Sequence, residues 1–200
     1  GFGLIWPRLL DTLLGAGIAG LAVLTILPDW QGRRLHRQAA ATLAAGRDYL
    51  AALVEQYASG KRDDLAYRLA RRNAHNADAE LAAMLANVQQ EPGPFRRDVD
   101  RGLPFQLHAH TLLNYLSALG AHRSESRGVT PAESALAEAV LAELDGLARA
   151  LERREPIDPH ASLEVTEAAP DSLLGAQLEL IGHQLVPLRE ASARLIEDQP

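Results

Sequence analysis

An almost uncharged apolar stretch opens the chain. From Phe2 to Leu27 only Arg8 and Asp11 carry a charge, and the sixteen residues from Thr12 onward carry none. A bilayer core about 30 Å thick needs roughly 17 to 25 mostly apolar helical residues, and the stretch reaches this length when the two leucines before Asp11 are included. We predict a membrane-spanning helix within residues 1–30. The alternatives are a buried helix of a soluble domain and a signal-peptide core, which is disfavoured because the initial Met, basic segment and cleavage site are missing.

The residues after this stretch indicate its orientation. Pro28 closes the apolar run, the indole of Trp30 suits a membrane interface, and Arg33, Arg34 and Arg37 follow. Basic residues concentrate on the cytoplasmic side of a span, so we expect the chain after about residue 30 to lie in the cytoplasm. Because the chain begins without a Met, we also expect it to be a fragment of a longer protein.

Polar and apolar positions repeat with helical spacing almost everywhere after Trp30. One stripe steps by three and four residues, as expected of a helix face that packs on a partner: Leu35, Ala39, Thr42, Gly46, Tyr49, Leu53 and Gln56 or Tyr57. This helix should end near Gly60. The next should begin at Asp63 or Asp64, fold back antiparallel and end near Gln90.

Three further helices follow. We predict them from about Pro104 to Ala121 after a loop over 91–102, from Pro131 to about Arg154 behind a capping box of Thr130 and Glu133, and from Ser172 to about Glu197. The fold class is therefore all-α, with one membrane-spanning helix followed by a cytoplasmic antiparallel helical bundle. In this organisation 1–30 is the membrane helix, 31–155 the cytoplasmic bundle, 156–171 a proline-containing linker and 172–200 a C-terminal helix.

Composition and charge narrow the function classes. The chain has no cysteine, which excludes disulfides, thiolate metal sites and thiol nucleophiles. Its net charge is −6, but residues 28–72 hold nine Arg or Lys against five acids, while residues 132–200 hold five Arg against fourteen acids. The basic part adjoins the predicted membrane helix and suits an anionic leaflet. Nucleic acid is disfavoured as a partner, because the chain as a whole repels phosphate.

The predicted membrane helix carries two kinds of candidate residues. Arg8 and Asp11 are three positions apart and share a helix face, where charges near a bilayer commonly face a bundle interior or a water-filled pathway. Snorkelling of Arg8 to the interface is the alternative. Two pairs of small residues four positions apart, Gly15 with Ala19 and Ala16 with Gly20, would let another membrane helix approach closely.

A second group of candidate residues lies in the middle of the predicted helix that begins at Asp63 or Asp64 and in the predicted helix from Pro104 to Ala121, with His122 just after it. We predict a polar layer in the cytoplasmic bundle from Arg72, His75, Asn76, Asp78, Glu80, His110, Asn114 and His122. A metal ion would need His75 and Asp78 with a further ligand such as His110 or His122, but the Glu-x-x-His pair typical of metal-binding bundles is missing. A hydrogen-bonded layer without metal is favoured. No hydrolase elbow or phosphate-binding loop occurs, so we predict no catalytic residue, no cofactor and no enzyme.

Four stretches of the chain resemble a known group of proteins. They are RLLDTLLG at 8–15, LPDW at 27–30 followed by Arg33, Arg34 and Leu35, LAYRLARRNAHNADAEL at 65–81, and HTLLNYLSALGAHR at 110–123. They resemble the C-terminal part of YccS-type inner-membrane proteins, which are similar to the fusaric acid resistance and aromatic acid exporter (FUSC) family. The resemblance covers roughly residues 3–123.

The resemblance implies a bacterial inner-membrane protein with two blocks of membrane helices, each followed by a cytoplasmic helical region. The chain would hold the last membrane helix of the second block and the cytoplasmic tail. The implied activity is efflux of small aromatic organic acids, with Arg8 and Asp11 near the pathway. The expected partners are the lipid bilayer, upstream membrane helices of the same protein, a small organic acid and a second copy of the chain. The alternative is a membrane-tethered helical scaffold or oligomerisation module without transport activity.

Overall fold

The computed structural model describes residues 5–26, 31–60, 64–89, 96–122, 128–161 and 172–197, without the side chains of 5, 22–26, 31–34, 88–89 and 96–99. These residues form six helices and no strand. The helices are α1 (Ile5–Ile26), α2 (Gln31–Ser59), α3 (Leu65–Gln89), α4 (Arg96–Ala121), α5 (Pro131–Arg153) and α6 (Leu173–Ile196). The all-α prediction is confirmed for this part of the chain.

The chain divides into two compact units, residues 1–34 and residues 35–200. The first unit contains α1, a helix of 22 residues. Within the described ranges, no helix combines the length and the apolar character needed to cross a membrane. The single membrane span predicted from the sequence is therefore not supported by these helices.

The predicted α2 stripe forms a central part of the bundle core. Every position of that stripe is buried: Leu35, Ala39, Thr42, Gly46, Tyr49, Leu53, Gln56 and Tyr57. Helix α3 runs antiparallel to α2, since Thr42 bonds to the Ala77 carbonyl while Tyr49, further along α2, meets Tyr67, earlier on α3. Asp64 caps α3 by accepting a hydrogen bond from the Ala66 amide. The helical hairpin predicted from the short Gly60 turn is confirmed by these contacts.

Helix α4 begins eight residues before the predicted start, at Arg96 instead of Pro104. Proline cannot donate a backbone hydrogen bond, which is why the sequence suggested a helix start there. Tertiary packing overrides this local signal. Gly102 lies against Leu85 of α3 and Leu35 of α2 so closely that a Cβ at this position would overlap the Leu85 side chain.

Helices α5 and α6 run parallel to each other, which departs from the predicted antiparallel bundle. Glu133 at the start of α5 contacts Ser172 at the start of α6, and Glu143 further along α5 pairs with Arg189 further along α6. Helix α6 also packs against α4. The end of α5 at Arg153 and the start of α6 at Leu173 therefore lie at opposite ends of the bundle, as in bundles with a long crossover connection.

One carboxylate secures the N-termini of both parallel helices. Glu133 and Thr130 form the predicted capping box of α5, in which the Thr130 amide donates to Glu133 at 2.7 Å and the Glu133 amide donates to the Thr130 hydroxyl at 3.3 Å. Ser172, the N-cap of α6, donates its hydroxyl to the same carboxylate and accepts from the Gly175 amide at 2.8 Å. Burial alone would raise the pKa of Glu133, but the hydrogen bonds from Ser172 and Thr130 outweigh it and lower that pKa.

Glu133→Gln is expected to destabilise the bundle by about 1–2 kcal/mol at neutral pH, because an amide cannot accept both sets of hydrogen bonds as a carboxylate does. A lowered folded-state pKa contributes stability above the unfolded glutamate pKa, and this stability is lost as the pH falls through the folded value. The difference between wild type and variant should thus shrink in acid. Urea denaturation across a pH series measures it, with Glu138→Gln, an exposed change on the same helix, as control. A difference that stays constant with pH would contradict the charged-cap explanation.

Candidate functional site

One face of helix α1 carries polar residues and residues with small side chains. Successive residues of an α-helix are rotated by about 100°, which brings Arg8, Asp11, Gly15 and Ala19 to one side of α1, with Ala16 at its edge. The described α1 side chains are exposed within their unit, and a Cβ at Gly15 or Gly20 would meet nothing within 4 Å. The predicted pathway residues and most of the predicted packing residues therefore share one face, and Gly20 lies at its border.

The opposite face of α1 carries large apolar side chains. Leu10, Leu13, Leu14, Ile18 and Leu21 surround Gly17 and line a shallow apolar groove. Their exposed fractions lie between 57% and 67%. Soluble proteins seldom expose contiguous patches of large apolar side chains. Such a patch is typical of a surface that contacts lipid or another protein. Helix α1 thus presents two chemically different sides, one small and polar and one bulky and apolar.

The second candidate site lies between α3 and α4. Asp78 is 8% exposed, and its Oδ2 atom lies 2.8 Å from Nδ1 of His110. The His110 side chain is about half exposed, so the pair joins a buried carboxylate to an imidazole at the surface. One helical turn earlier on α3, His75 contacts Ser117 of α4 at 3.5 Å. These contacts form a polar seam between the two helices.

The other members of the predicted polar layer lie on the surface. Arg72, Asn76 and Glu80 follow each other along the exposed side of α3, and Asn114 and His122 are exposed on or just after α4. The rotation of α3 explains this, because its buried line runs through Ala74, Leu81 and Leu85, on the opposite side. Glu80 nevertheless accepts a hydrogen bond from Gln38 of α2 at 3.3 Å. Asp78 is the buried member of the set.

The geometry does not assemble the metal ligands that the sequence analysis considered. Asp78 pairs directly with His110, and His75 contacts Ser117 instead. In the part of the chain that the structure describes, no group of three potential metal ligands comes together. The arrangement can hold α3 and α4 in register.

Sequence reasoning missed several polar contacts between α2 and α3. Gln38 donates to the Ala77 carbonyl and to Glu80, and Thr42 donates to carbonyls of α2 and α3. Tyr49 and Tyr67 place their hydroxyls 3.5 Å apart between α2 and α3. The signal for Thr42 and Tyr49 was present, since both lie on the predicted α2 stripe. A polar residue within an otherwise apolar stripe marks a buried group that needs a partner.

Curated sequences similar to this chain include a bacterial inner-membrane protein. That relative is inner membrane protein YccS of Escherichia coli (strain K12), which is 45% identical over 125 residues, or 62% of this chain. An uncharacterized protein of Haemophilus influenzae is 40% identical over 125 residues, and the uncharacterized protein ORF2 of Neisseria gonorrhoeae is 37% identical over 114 residues. No protein-family model and no solved structure matches the chain.

These comparisons confirm the resemblance to YccS-type proteins. The similar region spans 17% of the length of each of the first two relatives and 27% of the third. The likeness supports a membrane protein as the class of this chain. Membership of the fusaric acid resistance and aromatic acid exporter family is not shown by any match, and the activity of the whole protein is a matter of proposal.

Proposed function

We propose that α1 is part of a membrane helix of a multi-pass inner-membrane protein and that residues 35–197 form its cytoplasmic support module. No described helix alone has the length and apolar character of a membrane span, so the proposal rests on the surface of α1 and on the similarity to a membrane protein. The observation that supports this proposal most directly is that α1 has one small, polar face and one apolar face, with five large apolar side chains exposed around Gly17. In a bilayer this side would face lipid, while the small and polar side would contact other membrane helices of the same protein. The name of the Escherichia coli relative supports this placement.

The proposed orientation rests on charge. Arg33, Arg34 and Arg37 follow directly after α1, and basic residues concentrate on the cytoplasmic side of membrane spans. The cytoplasmic bundle would support assembly or gating without enzymatic activity and without binding nucleic acid. The ion pair of Glu143 with Arg189 and the contact of Glu133 with Ser172 join α5 to α6, as expected of a rigid support.

The transport step of the proposal assigns Arg8 and Asp11 to a pathway for small aromatic organic acids. A guanidinium recognises a carboxylate through paired hydrogen bonds, so Arg8 would attract the acid, and Asp11 would set the local charge balance. The glycine and alanine residues on the same face would let neighbouring helices close around the pathway.

Asp11→Asn is expected to reduce export of labelled aromatic carboxylates at least tenfold in cells that express the full-length protein, because the pathway loses its fixed negative charge. The measurement compares this variant with wild type and with a strain lacking the protein. The matched control is Asp100→Asn, which removes an exposed carboxylate at the start of α4. Carbonate extraction of membranes verifies that each variant is inserted.

Wild-type export by an inserted Asp11→Asn protein would remove Asp11 from the mechanism. Equal export with and without the wild-type protein would reject transport of these acids altogether. The second candidate, a membrane-tethered scaffold, would then be favoured. The cavity where α2, α3 and α4 meet has a volume of about 10 Å³, which is too small for an organic acid.

A further inference from the structure

A small cavity lies where α2, α3 and α4 meet. Its volume is about 10 Å³, and it is lined by leucines of α2 and α4 together with Thr42, Gly46, Ala74, Asp78 and Ala109. The lining residues Gly46, Ala74 and Ala109 leave space among the leucines because they carry no large side chain. A cavity of this size accommodates about one water molecule.

Asp78, which lines this cavity, has one unsatisfied carboxylate oxygen. Its Oδ2 atom pairs with His110, but its Oδ1 atom is buried and has no hydrogen-bond partner among the described residues. Buried polar atoms are nearly always hydrogen-bonded to protein or to ordered water. An unsatisfied carboxylate oxygen on a residue that lines a water-sized cavity therefore points to a bound water as its partner.

Thr42 offers a second hydrogen-bond partner for a water in the cavity. Its hydroxyl donates to the Gln38 carbonyl at 2.9 Å or to the Ala77 carbonyl at 3.3 Å, so that the hydroxyl oxygen keeps the capacity to accept a hydrogen bond. A water in the cavity could then donate one hydrogen to Asp78 and the other to Thr42. A metal cation would require more oxygen ligands than these two side chains provide.

We propose that this cavity is a binding site for one internal water molecule that links Asp78 of α3 to Thr42 of α2. With His110 on its other oxygen, Asp78 then joins α2, α3 and α4 at a single point. This site is independent of any transport activity and gives the buried carboxylate oxygen a hydrogen-bond partner in an otherwise apolar junction.

Gly46→Ala tests the proposal. A Cβ at Gly46 would lie 3.9 Å from Cδ2 of Leu112, so the added methyl enters the cavity without a clash and displaces the water. We expect the Tm of the full chain in detergent to fall, and ¹⁷O relaxation dispersion to count one long-lived water fewer. The matched control is Gly146→Ala in α5, where an added Cβ meets nothing within 4 Å and the better helix propensity of alanine should raise the Tm.

The effect of Gly46→Ala on the Tm should change sign when the Asp78 carboxylate is removed. In an Asp78→Ala background, Gly46→Ala no longer leaves a carboxylate oxygen without a hydrogen bond. It should therefore raise the Tm, as Gly146→Ala does. A rise in Tm for Gly46→Ala in the wild-type background, equal to that of the control, would overturn the proposal. A high-resolution crystal structure of the wild-type chain showing this cavity empty or filled by an ion would overturn it as well.

Discussion

Replacing Arg189 by methionine is expected to lower the free energy of unfolding of the bundle by about 3–5 kcal/mol, the usual cost of leaving a buried charge without its partner. Nη2 of Arg189 lies 2.5 Å from Oε1 of Glu143, and the two side chains are only 13% and 15% exposed. Methionine fills a similar volume but offers no positive charge. Glu143 would then have to be buried as an uncompensated carboxylate or take up a proton. Urea denaturation of the full chain measures the loss.

A second arginine on the same helix provides the matched control. Arg194 is 63% exposed and lies 4.0 Å from Glu190, so Arg194→Met should change stability by less than about 0.5 kcal/mol. The double variant Glu143→Leu with Arg189→Met removes both charges and should recover most of the loss, since apolar replacements of buried pairs are often neutral. Equal effects of Arg189→Met and Arg194→Met would show that burial does not strengthen the α5–α6 ion pair.

The helix boundaries that depend on local chemistry were predictable from the sequence. The capping box of Thr130 and Glu133 and the cap formed by Asp64 use residues within a few positions of each other. The α2 stripe was predictable for the same reason, because a buried helix face repeats every three to four residues. These signals do not depend on how the helices are arranged in space.

The arrangement of the helices could not be predicted in the same way. Helix α4 begins at Arg96, and its residue Gly102 fits closely against Leu85 of α3, a contact between two helices that no local pattern reveals. The parallel order of α5 and α6 depends on contacts such as that between Glu143 and Arg189. No local pattern distinguishes a connection that turns back from one that crosses the bundle.

The candidate sites show the same difference between features of a single helix, which the sequence predicts, and features that depend on how helices pack. Arg8, Asp11, Gly15 and Ala19 share a face because they belong to one helix, and helical rotation alone predicts this. The polar layer between α3 and α4 required the rotational phase of both helices. Spacing placed His75 and Asp78 one turn apart, but only the packed bundle shows that Asp78 turns inward to meet His110. Arg72 and Asn76 turn outward from the same stretch.

Gly120→Ala is expected to destabilise the chain by about 1–3 kcal/mol, the usual cost of overpacking a well-filled core. A Cβ at this position of α4 would lie 2.7 Å from the hydroxyl oxygen of Tyr67 and 2.9 Å from that of Tyr49. Both tyrosines are buried, and their ring centroids lie 5.8 Å apart. Burial and the neighbouring Tyr67 raise the pKa of Tyr49 above its usual value, so its hydroxyl stays protonated further into the alkaline range. The methyl group would force one hydroxyl out of this paired position.

The clash can be separated from helix propensity by two comparisons. Gly146→Ala adds the same methyl to an exposed position of α5 and should stabilise the chain by up to about 1 kcal/mol, because alanine favours a helix more than glycine does. Adding Tyr67→Phe to Gly120→Ala removes the nearer hydroxyl, so the double variant should lose less stability than the sum of the two single changes. Strict additivity would show that the methyl group and the Tyr67 hydroxyl do not compete for space, and that the end of α4 is held by other contacts, such as the Tyr57 hydroxyl on the Leu119 carbonyl.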